Sequence, residues 1–204
     1  MIYPIVKFGN PVLEKPAEKV TVFDEELKKL IDDMFESMYA ARGVGLAAPQ
    51  IGISRRIAVV DVTFKEDPEA KLVLINPEII HKEGRHTQSE GCLSIPDFRE
   101  NVNRPQVVTV RAQDLSGEIF EKTGDDLLAR ALQHETDHLN GKLYISHISA
   151  LKRDLIKRKI RKLVKAGEWE KFVIVQFCNW VIDAPGKRPI AQTPDYSLAR
   201  CLHP

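Results

Sequence analysis

Residues 133–139 read Gln-His-Glu-Thr-Asp-His-Leu and contain the pattern HExxH. The residues around this motif favour a helix over 127–139. Asp125 and Asp126 place negative charge where a helix begins, and Asn140-Gly141 is a typical helix stop. The motif therefore lies on a predicted helix.

The two histidines of the motif are suited to binding one metal ion. Side chains four residues apart project from the same face of a helix, one turn from each other. His134 and His138 can therefore converge on a single ion, with Glu135 beside it. The alternative is that both histidines are hydrogen-bonded core residues that extend the buried stripe of Leu127 and Ala131.

A site of this kind needs a third protein ligand, and that ligand decides the enzyme class. One group of metalloproteases uses HExxHxxGxxH, but Tyr144 stands here in place of the third histidine. Other metalloproteases use a downstream carboxylate, for which Asp154 and Glu168 are candidates. Asp154, however, lies on a strongly basic helix and Glu168 in a C-terminal region of different character, so Cys92 is the better candidate. It would bind as a thiolate, which a bound cation favours. The alternative for Cys92 is a small buried core residue.

Two further helices are predicted on either side of the motif. Residues 21–41 start with a capping pattern at Thr21 and Asp24, and residues 149–165 form a second amphipathic segment. The apolar stripe of the first helix consists of Leu27, Leu30, Ile31, Met34 and Met38, and that of the second of Leu151, Leu155, Ile156, Ile160 and Leu163.

The middle of the chain favours antiparallel β structure. Two extended segments and the two arms of a hairpin around Asp-Leu-Ser-Gly are predicted at residues 56–63, 71–76, 106–111 and 118–122. Residues 42–50 are predicted to form a loop, because Pro49 disfavours a helix before it.

Composition limits the kind of protein. The chain has 204 residues, 43% of them apolar, and its 30 basic and 29 acidic side chains nearly cancel. One globular domain is expected, and neither disorder nor bulk binding to nucleic acid describes the whole chain. No apolar run approaches the roughly 20 residues that cross a bilayer, and no export signal is visible, so we expect no membrane partner and a cytoplasmic location. Cys92, Cys178 and Cys201 are an odd number of cysteines, which favours reduced thiols.

Three blocks of sequence resemble the signature blocks of the peptide deformylases. They are Gly-Val-Gly-Leu-Ala-Ala-Pro-Gln at 43–50, Glu-Gly-Cys-Leu-Ser at 90–94 and Gln-His-Glu-Thr-Asp-His-Leu at 133–139. The resemblance covers residues 1–166, which we expect to form the catalytic domain. Residues 167–204 are then a C-terminal extension, for which an edge strand at 172–177 and a tail are predicted.

The resemblance implies both a fold and an activity. The fold is α+β, with antiparallel β-sheets packed around a central metal-binding HExxH helix and with additional N- and C-terminal helices. The activity is a metal-dependent hydrolysis that removes the N-terminal formyl group from formyl-methionyl nascent polypeptides and releases formate. The resemblance also implies Fe²⁺, one ion per chain, with Ni²⁺ and Co²⁺ as active substitutes and Zn²⁺ as a less active one. On ligand chemistry alone, two imidazoles and a thiolate suit Zn²⁺.

Carried over position by position, the resemblance assigns roles to individual residues. The metal ligands are Cys92, His134 and His138, the general base is Glu135, and the oxyanion donors are the Gln50 side chain and the backbone N–H of Leu93. The substrate contacts are Gly45, Val44, Arg99 and Leu127.

Alternatives remain open at two of these positions, Gln50 and Arg99. Gln50 is otherwise a loop amide bonded to nearby backbone, and Arg99 a solvated surface charge. Arg130, one turn before His134, is expected to border the methionine pocket with its apolar stem while its charge reaches solvent.

The helix at 149–165 is strongly basic. Between Lys152 and Lys165 it carries eight Lys or Arg residues and one acid. The resemblance implies that this helix docks on the ribosome, and the alternative is a solvated amphipathic face.

Two functions other than deformylation each explain part of the sequence. A zinc endopeptidase explains HExxH, with Asp154 or Glu168 as third ligand, but leaves Cys92 without a role. A non-catalytic ribosome- or RNA-binding protein explains the basic helix and makes the metal structural.

Overall fold

The structure is a computed structural model and describes residues 1–169. This part of the chain contains three α-helices, α1 (Glu25–Ala40), α2 (Asp126–Leu139) and α3 (Ala150–Lys165). Its seven β-strands are β1 (Gly45–Ala47), β2 (Ile57–Val60), β3 (Leu72–Glu83), β4 (His86–Cys92), β5 (Ile95–Arg104), β6 (Val107–Gln113) and β7 (Ile119–Asp125). None of the helices found in residues 1–169 combines the length and the apolar character needed to span a bilayer.

The strands form two antiparallel sheets. Five of them are ordered β1-β2-β3-β6-β7, and the other two form the separate hairpin β4-β5. Side chains alternate between the faces of a strand. In β2, Ile57 and Val59 accordingly join the core cluster of α1, while Ala58 and Val60 join that of α2. The sheet thus separates the two helices, and the α+β class expected from the sequence is confirmed.

The predicted helices are present with small shifts at their ends. Asp24 caps α1 by accepting a hydrogen bond from the backbone N–H of Leu27 at 2.9 Å, so the helix begins later than Thr21. The predicted apolar stripe of α1 is buried throughout. Helix α2 ends at Leu139 with Asn140 as its C-cap, and Gly141 then adopts a left-handed conformation with φ of 69°.

Helix α3 is held by fewer apolar side chains than its sequence suggests. Ile156 and Ile160 are buried and Leu163 is partly buried, as expected. Leu151 and Leu155, the other two members of this apolar stripe, are 72% and 49% exposed. Within residues 1–169 the Ile156 side of the helix packs on the domain, and the two leucines lie on the outer surface.

Two segments of backbone differ from the sequence expectations. The loop predicted at 42–50 contains β1, which pairs with β2, and the beginning of a 3-10 turn at Ala48–Ile51. The hairpin β4-β5 was not predicted, because its strands are rich in polar residues and lack a simple alternation. The predicted hairpin around Asp-Leu-Ser-Gly is confirmed as β6-β7. The edge strand predicted at 172–177 lies outside the described residues, as do Cys178 and Cys201.

Candidate metal centre

Cys92, His134 and His138 meet in one buried cluster. The Nε2 atom of His138 lies 3.2 Å from Cys92 Sγ and 3.2 Å from His134 Nε2. One potential ligand atom from each residue lies within 4.8 Å of the other two. Within residues 1–169 no other group of His, Cys, Asp and Glu side chains has this arrangement.

Two elements bring these side chains together. Helix α2 presents both imidazoles from one face, as the spacing of four residues requires. Cys92 is the last residue of β4, immediately before the turn into β5, and the pairing of the two strands shifts between Gly91 and Cys92. This irregularity changes the local direction of the strand where the thiol faces the helix.

Glu90 orients the first histidine of the motif. Its Oε1 lies 2.7 Å from His134 Nδ1, and it also accepts hydrogen bonds from Arg104 and Arg130. Burial opposes the ionisation of Glu90, but the hydrogen bonds from Arg104 and His134 outweigh it and lower the Glu90 pKa. An ionised carboxylate only accepts hydrogen bonds, so His134 Nδ1 carries the proton. When His134 is neutral, as a metal ligand must be, its lone pair is on Nε2, which faces the cluster.

Two buried arginines connect the β4-β5 hairpin to helix α2 through ion pairs. Arg104, at the end of β5, pairs with Glu90 at 2.7 Å and with Asp137 of α2 at 2.8 Å. Arg130 pairs with Glu90 at 2.8 Å and donates to the carbonyl of Val102. The expectation that the charge of Arg130 reaches solvent is wrong, because the side chain is 3% exposed and its guanidinium lies in this network.

Sequence reasoning missed the network of Glu90, Arg104 and Arg130. A weak signal was available: Arg130 lies four residues before His134, on the face of α2 that the motif shares. A charge on that face needs a buried partner of opposite sign.

Glu135 lies beside the cluster with one oxygen unpaired. Its Oε2 atom is buried and has no hydrogen-bond partner, a condition shared in residues 1–169 only with His138 Nδ1. Burial raises the pKa of Glu135 to about 7. Burial lowers the pKa of His138 well below its ordinary value and favours its neutral form.

Gly45 makes room for this carboxyl group. A Cβ atom added at Gly45 would lie 2.9 Å from the Cδ atom of Glu135, closer than real Cβ contacts come. A side chain at residue 45 would therefore displace Glu135.

The Gln50 side chain is fixed by its own backbone neighbourhood. Its Oε1 accepts a hydrogen bond from the N–H of Ala47 at 2.9 Å. This contact turns Nε2 towards the cluster, 3.6 Å from Cys92 Sγ and 3.5 Å from Ser94 Oγ. The amide oxygen thus makes the backbone contact expected of a loop amide, while the amide nitrogen faces the cluster.

The remaining predicted residues lie in less distinctive surroundings. Val44 is buried, Leu93, Leu127 and Arg99 are partly buried, and Arg99 Nε donates to Ser89 Oγ at 3.2 Å. Of the other ligand candidates, Asp154 and Glu168 are exposed and do not belong to the cluster. The hydroxyl of buried Tyr144 donates to the carbonyl of Phe98 at 2.9 Å and is therefore occupied.

This donor set fits a divalent transition-metal ion. Thiolate and imidazole suit such ions, and three protein ligands are typical of catalytic sites. The unpaired Glu135 Oε2 adds an acceptor beside them. A water molecule or a substrate N–H could satisfy that acceptor, so the arrangement is suited to hydrolysis.

Comparison with known proteins agrees with this chemistry. The sequence profile of the polypeptide deformylases matches residues 2–154. A peptide deformylase of Acidobacterium capsulatum is 66% identical over 169 residues, which cover 83% of this chain and 99% of that protein. A peptide deformylase of Cellvibrio japonicus is 47% identical over 81% of this chain and 98% of its own.

Solved structures give the same result. The crystal structure of a peptide deformylase from Legionella pneumophila matches with a TM-score of 0.76 and 46% identity, over 82% of this chain and 98% of that one. The peptide deformylase of Thermus thermophilus matches with a TM-score of 0.75 and 38% identity, over 83% and 99% of the two chains. The chain belongs to the peptide deformylase family, the metal-dependent hydrolases that remove the N-terminal formyl group from nascent polypeptides.

Proposed function

We propose that Cys92, His134 and His138 hold the metal ion of this deformylase and that Glu135 transfers the proton. The observation that best supports these roles is the meeting of one thiol and two imidazoles in a buried cluster, beside an unpaired carboxyl oxygen. When bound there, a divalent ion supplies Lewis-acid polarisation of a carbonyl oxygen and acidifies water.

Glu135 acts twice in the proposed reaction. Its Oε2 first accepts a proton from the water that attacks the formyl carbon. It then donates this proton to the amine nitrogen as the C–N bond breaks, which releases formate and a free N-terminus. Because Oε2 has no partner in the described part of the chain, no existing hydrogen bond has to break first.

Release of formate from formyl-Met-Ala-Ser tests the activity directly. The Met-Ala-Ser peptide without the formyl group is the matched control. Deformylation predicts formate and one new amine per turnover and no cleavage of the control. Cleavage of the control peptide at an internal bond would instead support the endopeptidase.

The proposed oxyanion donors are the Gln50 amide and the backbone N–H of Leu93. The formyl oxygen gains negative charge when the carbon becomes tetrahedral, and fixed donors stabilise that charge. Gln50 suits this role because Ala47 holds its Oε1 and leaves Nε2 directed at the cluster.

Gln50→Ala should lower kcat by about 10²- to 10³-fold, the typical loss for one oxyanion donor. The metal content should not change, because the amide is not among the proposed ligands. Steady-state kinetics on formyl-Met-Ala-Ser, with metal analysis of the same samples, provides the measurement. Gln113→Ala is a matched control far along the chain, on β6, and should retain wild-type kcat. A Gln50→Ala enzyme with wild-type kcat would remove Gln50 from the oxyanion site.

Four residues are proposed to contact the substrate. Gly45 would contact it through its backbone, Arg99 through its side chain, and Val44 and Leu127 through apolar surface that receives methionine. Gly45 lies against Glu135, which supports its place at the reacting bond. The hydrogen bond from Arg99 to Ser89 supports a defined orientation of the guanidinium.

Fe²⁺ is the proposed ion, with Zn²⁺, Ni²⁺ and Co²⁺ as substitutes. The mixed donor set of nitrogen and sulfur accepts each of these ions, so the ligands alone do not select among them. Metal analysis of protein purified without oxygen should find about one iron per chain. Zinc in protein prepared this way, at full activity, would contradict the assignment.

Helix α3 is the proposed docking element for the ribosome. Arg158, Lys159 and Lys162 are exposed, and the neighbouring Leu151 and Leu155 add exposed apolar surface. A basic surface of this kind attracts phosphates, including those of ribosomal RNA. The same proposal places the protein in the cytoplasm, which agrees with the free thiol of Cys92.

Changing Arg158, Lys159 and Lys162 together to Glu should weaken ribosome binding at least about tenfold and reduce its salt dependence. Turnover of formyl-Met-Ala-Ser should stay at the wild-type level, because these side chains lie outside the cluster. Co-sedimentation with ribosomes at several salt concentrations measures both effects. The control changes three exposed lysines outside α3, Lys82, Lys122 and Lys142, to Glu. Equal binding by the α3 variant and the wild type would reject docking through α3.

A further inference from the structure

Trp169 is buried immediately after the last helix. Gly167 has φ of 67°, and Glu168 donates its backbone N–H to the carbonyl of Leu163 at 2.9 Å, which ends α3 and turns the chain back. The Trp169 side chain is 3% exposed, and its ring centroid lies 6.4 Å from that of Phe98. The cluster that contains Trp169 also contains Cys92.

Trp169 is hydrogen-bonded to the N-terminal segment, residues 6–8. Its Nε1 donates a hydrogen bond to the carbonyl of Phe8 at 3.2 Å. Its own carbonyl accepts a hydrogen bond from Lys7 Nζ at 2.9 Å. Two consecutive residues of the N-terminal segment are thus attached to one tryptophan.

The same segment is attached on its other side to the proposed oxyanion donor. The N–H of Val6 donates to the carbonyl of Gln50 at 2.7 Å, and the N–H of Phe8 donates to the carbonyl of Ser94 at 2.8 Å. Ser94 Oγ lies 3.5 Å from the Nε2 atom of Gln50. Both routes from the segment therefore reach Gln50, one through its backbone and one through its side chain.

We propose that Trp169 is a positioning residue for the Gln50 amide, acting through residues Val6 to Phe8. The proposal rests on the proposed function, in which Gln50 stabilises the oxyanion. A donor of this kind must be held to within tenths of an ångström, and small displacements lower the rate steeply. Burial of Trp169 holds Phe8 in place. Phe8 then holds Ser94 beside the Gln50 side-chain amide, and Val6 holds the Gln50 backbone carbonyl.

The variants are made in the full-length protein. Trp169→Ala removes the ring and the indole N–H, whereas Trp169→Phe keeps one aromatic ring and loses the donor and part of the ring volume. Ile160→Ala is the matched control, because Ile160 is a buried α3 residue of the same cluster that makes no side-chain hydrogen bond to the N-terminal segment.

Trp169→Ala should lower kcat about 10- to 100-fold, with KM and metal content near wild type. The KM is spared because the oxyanion forms only in the transition state. Trp169→Phe should give a kcat between those of Trp169→Ala and the wild type. Ile160→Ala should lower the melting temperature but leave kcat within about twofold of wild type.

A double-mutant cycle with Gln50→Ala separates positioning from a general loss of structure. If Trp169 acts through Gln50, Trp169→Ala should have little further effect on kcat in the Gln50→Ala enzyme. The same fold loss in both backgrounds would overturn the proposal. So would wild-type kcat in both Trp169→Ala and Trp169→Phe. If Gln50→Ala alone kept wild-type kcat, the role of Gln50 in the proposed function would fail, and the proposal for Trp169 would fail with it for that identifiable reason.

Discussion

Glu135→Gln should lower kcat by about 10²- to 10⁴-fold while the enzyme still binds its metal ion. Glutamine has nearly the same shape as glutamate but cannot accept the proton of the attacking water and pass it to the leaving amine. The proposed ligands Cys92, His134 and His138 are unchanged. Formate release from formyl-Met-Ala-Ser and metal analysis of the same preparation measure the two properties.

The loss should not come from unfolding. Burial raises the pKa of Glu135 to about 7, above its ordinary 4.5, so ionisation of this group costs stability as the pH rises between these values. A neutral glutamine avoids that cost, and at pH 8 the variant should be at least as stable as the wild type to denaturant. Glu121→Gln, an exposed change on β7, is the control and should match the wild type in formate release and in metal content. Wild-type turnover by Glu135→Gln would remove Glu135 from the proton transfer.

Cys92→Ala should lose metal affinity by more than about 100-fold and lose turnover with it. Changes to residues that only support a ligand already cost about 10- to 100-fold, and removal of a ligand should cost more. The variant should still fold, because Cys92 is a small side chain in a cluster built mainly from larger apolar residues. Competition with a chelator of known affinity measures the dissociation constant.

The other cysteines provide the control for this experiment. Cys178→Ala makes the same chemical change elsewhere in the sequence and should bind metal as the wild type does. If Cys92→Ala kept both wild-type affinity and one ion per chain, the thiol would not be a ligand. The site would then have to be completed by another group.

Much of the site was predictable because it depends on local geometry. The spacing of His134 and His138 on one helix puts their side chains on the same face whatever the rest of the fold does. The position of Cys92 was different. It lies 46 residues before His138, and its approach depends on the irregular pairing at the end of β4. Residue chemistry therefore made Cys92 a candidate ligand, and the resemblance to a known family assigned it.

The charged network around Glu90 could not be predicted in the same way. Its partners Arg104 and Arg130 lie 14 and 40 residues away along the chain. Their pairing depends on how the β4-β5 hairpin packs on α2, which periodicity does not specify. The polar composition that these pairs impose also hid the hairpin itself, because strand prediction relies on alternating apolar residues.

The positions of the helices were predicted more accurately than the exposure of their individual side chains. The apolar stripe of α1 is buried as expected, because a sheet lies against it. In α3 a similar apolar pattern is buried only in part, and Leu151 and Leu155 are exposed in the described part of the chain. A sequence pattern marks side chains that can be buried, and the packing decides which of them are.

X-ray absorption by zinc bound to the protein tests the central claim most directly. The sample carries Cys178→Ala and Cys201→Ala, so that Cys92 is the only cysteine left. The account predicts one sulfur at about 2.3 Å and two imidazole nitrogens at about 2.0–2.1 Å from the ion. A ligand shell of nitrogen and oxygen without sulfur would contradict it.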